Sequence, residues 1–308
     1  MKIISFILFF IFSSTGFSQW AQKEDFPGSS RNNAVSFSIG KKGYYGLGQK
    51  QTDVYKYKVY DDIWEYDPDM DYWTQKASIP GGGKLGIKGF AVNGKGYAGG
   101  GYFISAYGPN AGGNDYQPDF YQFNPDSDKW TKKNNHFLGE KDICFVINDT
   151  LHSVNIEYKV METYNPVTDT WIEKKWDKKA NAPYYMDIAG INFYFGIGRK
   201  EYIITTTRKK KNCINTLWEF DPSTIIWKRK GDLPSPGNDT LCAFALGEKG
   251  YVLRGKDNFL EYNISPNSRN AVGKEIMLPE KYFTPVFVID ERIYFFCQHE
   301  FWEFWPEK

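Results

Sequence analysis

Short runs of alternating apolar and polar residues recur along the whole chain, separated by clusters of Gly, Asn, Asp and Pro. Phe37-Ser38-Ile39 is followed by Tyr44, Phe90-Ala91-Val92 by Tyr97, Phe145-Val146-Ile147 by His152, Phe195-Gly196-Ile197 by Tyr202, Phe244-Ala245-Leu246 by Tyr251 and Phe287-Val288-Ile289 by Tyr294. The Phe-to-aromatic spacing is seven in all six copies, and turn formers such as Gly40-Lys-Lys-Gly43 and Asn93-Gly-Lys-Gly96 lie between. Residues two apart share a face of a strand, so each unit predicts a β-hairpin. The residue between Phe and its aliphatic partner is small or β-branched, which predicts sheets packed on both faces that crowd together near a central axis.

A second segment follows each hairpin. Trp64-Glu-Tyr-Asp-Pro68 precedes Trp73, Tyr121-Gln-Phe-Asn-Pro125 precedes Trp130, Glu162-Thr-Tyr-Asn-Pro166 precedes Trp171 and Trp218-Glu-Phe-Asp-Pro222 precedes Trp227, with Trp five residues after Pro each time. Tyr262 to Pro266 and Trp302 to Pro306 are weaker copies. Proline ends a strand and presets a turn, so this segment predicts two further strands per repeat. Intervals of 57, 41, 56, 44 and 40 residues between the prolines have the period of propeller blades with two long insertions. The expected fold is all-β, a six-bladed β-propeller of four-stranded antiparallel blades. The last copy lacks its Trp strand, whereas Trp20 to Gly28 matches Trp73 to Gly81 with Pro seven residues after Trp. The N-terminal strand is therefore expected to join the last blade and close the ring, which removes exposed sheet edges.

In these features the chain resembles the kelch-repeat β-propellers. The resemblance rests on Tyr66-Asp-Pro68 with Trp73, Phe220-Asp-Pro222 with Trp227, Gly99-Gly100-Gly101, and Arg31 shortly after Pro27, and it covers residues 20–308. Ser153-Val154, Thr205-Thr206 and Cys297-Gln298 replace the Gly-Gly doublet in three repeats, and Ala271 stands where the fifth Trp is expected. The resemblance implies that Arg31 faces the central opening and meets an anionic ligand; a structural role, bonding nearby loop carbonyls, stays open beside it.

Residues 1–18 carry Lys2, an apolar run from Ile3 to Phe12, and small residues at Gly16 and Ser18, the pattern of a secretory signal cleaved after Ser18. The rest, 19–308, reads as a single domain that is exported: periplasmic, secreted or surface-associated, with no membrane span after signal removal. The alternative is an uncleaved N-terminal anchor. Composition changes the picture little. The chain has 38 Lys and Arg against 37 Asp and Glu, and losing Lys2 makes it neutral, which argues against nucleic acid as a partner. Four cysteines (Cys144, Cys213, Cys242, Cys297) allow three pairings in an oxidising compartment, but Cys144, Cys242 and Cys297 lie in apolar runs and are expected to be buried thiols.

Candidate chemistry is sparse. The three histidines match no metal-ligand or triad spacing, so no metal, no cofactor and no catalytic residue is assigned. The connections between second and third strands are longest in repeats 1, 2 and 4, and they emerge on the face that carries the links between blades. They hold Tyr57 in the first, Tyr107, Asn114 and Tyr116 in the second, and Arg208 within a basic run in the fourth. With Arg31 and Arg254 these form the candidate binding set. The function expected is a non-catalytic propeller binding a protein or glycan through this loop-rich face. The alternative is an exported sugar mutarotase of the sialic-acid epimerase type, using a carboxylate such as Glu157 with Arg31 or Arg254 at the central channel.

Overall fold

The computed structural model describes residues 19–54, 56–104, 114–139, 142–184, 190–209, 212–233, 243–254, 258–263, 275–277, 283–297 and 300–306. The first strand, β1 (Trp20–Lys23), belongs to a sheet completed at the far end of the chain. One sheet is formed by β2 (Val35–Ile39), β3 (Lys42–Gly46), β6 (Ile63–Asp67) and β7 (Tyr72–Lys76), with the hairpin β4 (Gln49–Asp53) and β5 (Lys56–Val59) inserted at its middle connection. The next repeats the plan with β8 (Lys88–Val92), β9 (Lys95–Gly99), β12 (Phe120–Asn124) and β13 (Lys129–Lys132), carrying the inserted hairpin β10 (Tyr102–Ile104) and β11 (Asn114–Tyr116). The third runs β14 (Ile143–Ile147), β15 (Thr150–Asn155), β16 (Val160–Asn165), β17 (Thr170–Lys175). The fourth runs β18 (Gly190–Ile197), β19 (Lys200–Lys209), β20 (Asn212–Asp221), β21 (Ile226–Asp232). The fifth runs β22 (Ala243–Leu246), β23 (Lys249–Arg254), β24 (Asn258–Asn263), β25 (Glu275–Met277). In the last, β26 (Phe283–Ile289), β27 (Arg292–Cys297) and β28 (Glu300–Phe304) are joined by β1 on the outer edge. All are antiparallel meanders, so the protein is an all-β propeller with four-stranded antiparallel blades.

The recurring spacings have a register behind them. In every first hairpin the Phe and the aromatic seven residues later are direct cross-strand partners, from Phe37 opposite Tyr44 to Phe287 opposite Tyr294. Their rings lie within 4.9–6.4 Å. The same holds between third and fourth strands, where Tyr66, Phe123, Tyr164 and Phe220 stand opposite Trp73, Trp130, Trp171 and Trp227. Trp20 takes the matching place opposite Phe304. Cross-strand aromatic pairs of this kind are the main side-chain glue of a sheet. The turn between third and fourth strands ends on a residue with φ between 49° and 58° (Asp71, Asp128, Asp169, Ile225), which reverses the chain after the proline.

First strands neighbour one another in the cycle β2, β8, β14, β18, β22, β26 and back to β2. The approach is close. A Cβ at Gly43 would overlap the Phe287 ring, and one at Gly96 would overlap the Phe37 ring. The outer rim is stapled as well. Asp71 accepts from the Glu24 amide and Asp128 from the Ala77 amide, in each case the residue that follows the neighbouring sheet's outer strand, and Asp169 accepts from Asn134. Trp73 and Trp130 donate to the Glu24 and Ala77 carbonyls at 3.0 and 2.7 Å.

His152 occupies the place that Tyr holds elsewhere. Tyr44, Tyr202, Tyr251 and Tyr294 donate to a third-strand Glu, as Tyr294 does to Glu303 at 2.9 Å, and Tyr97 accepts from the Gln122 amide, whereas His152 Nδ1 lies 3.1 Å from Thr163 Oγ1. Cys144 is a buried free thiol; the Cys213 and Cys297 side chains, Cys242, Ala271 and His299 lie outside what the structure describes. Among the described residues no helix is long and apolar enough to cross a membrane.

Two outcomes test this packing. Gly43→Ala is expected to destabilise the protein by about 1–3 kcal/mol in urea denaturation, because the Phe287 ring is confined. Burial lowers the His152 pKa to about 4 from 6.5, so the unfolded chain takes up the proton first and stability drops as pH falls from 6.5 towards 4. The loss attributable to this residue between pH 7 and pH 4.5 is about 2 kcal/mol, read as the difference between wild type and His152→Phe in urea melts at those two pH values.

Candidate functional site

A cavity of about 420 Å³ is lined by residues 33–36, which lead into and begin β2, by residues 86–89, which lead into and begin β8, and by Tyr194 of β18. These segments come from the first, second and fourth sheets. Sheets one and four are not neighbours in the cycle, so the space they share lies on the axis where the first strands converge. It opens at the end where those strands begin, the end that also carries the inserted hairpins.

Its walls are held by two equivalent ion pairs. Arg31 donates to both Asp62 oxygens at 2.5 and 2.9 Å, to Ser29 O at 3.0 Å and to Leu47 O at 3.2 Å, and its guanidinium lies 4.2 Å from the Tyr60 ring centroid. Its side chain is 1% exposed. Burial works to raise the Asp62 carboxyl, and the Arg31 and Trp64 hydrogen bonds outweigh it, holding it below the usual carboxylate range. In the second sheet Lys84 Nζ lies 3.1 Å from Asp119, which also pairs with Lys132 at 3.0 Å. Arg31 and Lys84 each lie eleven residues after a Trp, and Asp62 and Asp119 each lie six before a Pro. That shared spacing is the signal that identifies Lys84 in the sequence. Both pairs anchor the segment entering a first strand to the start of a third strand, which fixes the cavity wall.

Several polar groups gather at the axis. Lys88 of β8 lies in the cavity wall, and its charge acts on Asp142 and Cys144. Asp142 is buried and accepts from the Gly139 amide at 2.7 Å, from Asn155 at 2.6 Å and from Ser153 at 3.3 Å; burial still raises its carboxyl above the ordinary value. Burial likewise pushes the Cys144 thiol up to about 12, which makes it a weak nucleophile. Tyr194 is 37% exposed, yet surrounding protein raises its phenol strongly, as expected of a side chain that opens on an internal space. Glu201, on the neighbouring strand, is 1% exposed, its Oε2 set against Gly196, and burial raises its carboxyl well above the usual range. The cavity wall thus carries an ammonium and a neutral phenol, with buried carboxyls nearby. Among the described residues no cluster of ligating side chains could hold a metal ion.

Of the candidate binding set read from the sequence, the residues whose side chains are described, Arg31, Tyr57 and Tyr116, do not line this cavity. Arg31 is turned into its ion pair rather than towards a ligand. Tyr57 is exposed on β5, and Tyr116 is exposed on β11, packed against Tyr102 and Phe137. Asn114 begins β11 opposite Ile104, and Tyr107 lies outside the described residues. Arg208 stands on β19 opposite Cys213, in an extended hairpin rather than a loop, and Arg254 ends β23 opposite Asn258. Glu157 is exposed in the turn between β15 and β16. Lys88 and Tyr194 carried no motif; each sits one or two residues before a first-strand Phe, and only the convergence of three sheets makes them neighbours of one space.

No protein-family model matches the chain. It is 24% identical over 225 residues to the N-acetylneuraminate epimerase of Shigella sonnei (strain Ss046), covering 71% of this chain and 54% of the relative. It is also 24% identical over 254 residues to the N-acetylneuraminate epimerase of Pasteurella multocida (strain Pm70), covering 78% and 60%. The chain thus spans a little over half the length of these curated relatives. The solved structure of YjhT superposes with a TM-score of 0.64 at 14% identity, covering 91% of this chain and 94% of that one, a likeness of fold. These relatives are named for an enzyme, which overturns the expectation of a non-catalytic binding propeller and favours the mutarotase alternative.

Removing Arg31 leaves Asp62 charged and half-buried. Arg31→Ala is expected to cost about 3–5 kcal/mol of stability in chemical denaturation, and Arg31→Lys to recover only part of it because an ammonium lacks the two-pronged geometry. The chain is accordingly similar in sequence to proteins named N-acetylneuraminate epimerase and similar in fold to YjhT.

Proposed function

We propose that the protein is a sugar mutarotase acting on N-acetylneuraminate or a closely related sugar acid, and that the reaction takes place in the axial cavity. The observation that carries this is a cavity of about 420 Å³ presenting Lys88 and Tyr194 at the axis, in a chain whose curated relatives are named N-acetylneuraminate epimerase. The Lys88 ammonium pairs with the substrate carboxylate and fixes the ring in the cavity. Interconversion of anomers needs a proton removed from the anomeric hydroxyl and one delivered to the ring oxygen as the C–O bond opens to the ketone, then the reverse on the other face. Nothing is gained or lost overall, so positioned acid–base groups suffice. Tyr194, its phenol kept protonated by its surroundings, gives its proton to the ring oxygen while a solvent water takes the proton of the anomeric hydroxyl, and on ring closure the two transfers run in reverse, which restores the phenol.

The same proposal takes the scaffold as a kelch-type ring of six blades closed by β1 on β28. The pairing of Trp20 with Phe304, and the hydrogen bonds from Trp305 N to Gln19 O and from Gln19 to Pro306 O, support that closure. It also places the protein outside the cytosol, on the signal-like pattern of residues 1–18.

Exchange between the two anomers of N-acetylneuraminate, followed by NMR exchange spectroscopy at constant pH, is expected to accelerate with added protein. Lys88→Ala is expected to raise KM by about tenfold or more, as for loss of one charge-assisted contact. Tyr194→Phe is expected to lower kcat by about a hundredfold. Exchange no faster than in buffer overturns the proposal.

A further inference from the structure

Beside the cavity runs an aromatic row that the proposed reaction does not use. Gly86 is part of the cavity wall, and the Tyr102 ring lies over it, 3.4 Å from where a Cβ would stand. Tyr102 is fixed there by reciprocal backbone hydrogen bonds with Leu85 at 3.0 and 2.9 Å. Across the inserted hairpin Tyr102 and Tyr116 are direct partners with ring centroids 5.3 Å apart. Tyr116 in turn meets Phe137, from the connection between β13 and β14, edge-on at 5.6 Å. Tyr116 is 41% and Phe137 50% exposed. Three rings therefore lead outward from the rim of the cavity, anchored at the inner end by strand pairing.

Exposed rings in contact with one another mark a surface that gains by being covered. Tyr and Phe bring a large, rigid contact area at small entropic cost. A pyranose ring offers the complement, an apolar face of C–H groups with hydroxyls around its edge. The row is one ring wide and continuous with a cavity read here as a sugar-acid site, which points to a second sugar rather than a protein surface. We infer that Tyr116 and Phe137 form a second sugar subsite, so that the substrate class is the reducing end of a sialic-acid oligosaccharide, its terminal ring in the cavity and the adjoining ring on the aromatic row. This rests on the mutarotase reading of the cavity.

Saturation-transfer NMR with free N-acetylneuraminate and with its α2,8-linked dimer tests it. With the wild-type protein, protons of the non-reducing ring of the dimer are expected to receive saturation, and the dimer to bind about tenfold tighter than the monosaccharide, as burial of one sugar face predicts. Phe137→Ala and Tyr116→Ala are each expected to remove most of that preference, and Phe137→Tyr to keep it, with thermal melts confirming that the variants fold. Equal affinity for the two sugars, or a preference that survives both alanine variants, overturns the subsite. Anomer exchange of the monosaccharide, measured on the same samples, separates the two ideas. Exchange without a dimer preference sinks the subsite alone. Dimer binding through its second ring without exchange sinks the reaction and leaves the subsite standing, and binding of neither sugar sinks both.

Discussion

Everything in this fold depends on how closely neighbouring first and second strands can approach near the axis. A first-strand Phe reaches across to the next sheet and needs a hole there. Gly43 receives Phe287 and Gly96 receives Phe37. At the matching position other sheets carry Leu151, which joins the apolar cluster of Phe90, and Ile293, which joins that of Phe244. Large side chain into small space is ordinary close packing, but here it repeats between sheets, so each seam sets the angle of the next. The seam before the fourth sheet differs in polarity. There the position is Glu201, a carboxyl held in apolar surroundings behind Tyr194. The sheet that carries this carboxyl is the one that sends a phenol into the axial space.

The rim is governed by a different interaction. Asp71, Asp128 and Asp169 end their turns with positive φ and aim a carboxylate at the neighbouring sheet, while Trp73 and Trp130 add an indole N–H beside it. Where the pattern changes, the bonding changes with it. Ile225 replaces the aspartate in the fourth sheet, and the Trp227 indole N–H is buried without an acceptor. The Trp171 N–H is unmet too, and its ring is instead stacked on His136 at 3.7 Å, with His136 Nε2 3.2 Å from Glu162. Buried donors left unpaired carry a cost, so these two seams are the weaker joints of the rim.

The axial cavity inherits its shape from the inner seams and its rigidity from the Arg31–Asp62 and Lys84–Asp119 pairs. Those side chains look like ligand-binding groups when read as isolated basic residues. In the folded chain each is spent on its carboxylate and, for Arg31, on loop carbonyls and an aromatic ring. Lys88 and Tyr194 line the cavity itself, carried on strands rather than loops. A site built on strands is held to tighter geometry than one built on loops, which suits a reaction whose only demand is well-placed proton transfer.

Local spacing carries information that survives in one dimension: seven residues from Phe to Tyr are a two-strand register, and five from Pro to Trp are a turn plus a register. Hence the four-stranded sheets could be written down strand by strand from the chain alone, and even His152 was correctly a strand side chain in a tyrosine's place. The equivalence of Arg31 with Lys84 was equally present as an interval, although the difference in residue type concealed it. The site was not present in that way. Lys88 and Tyr194 are 106 positions apart in the chain, belong to sheets that are not neighbours in the cycle of first strands, and sit at positions where other repeats carry unremarkable residues. A repeat pattern specifies each blade against its neighbours, and the space at the centre belongs to no pair of neighbours. Its lining is settled only when all the first strands have converged, because burial, charge coupling and access to solvent are properties of that shared volume and not of any segment.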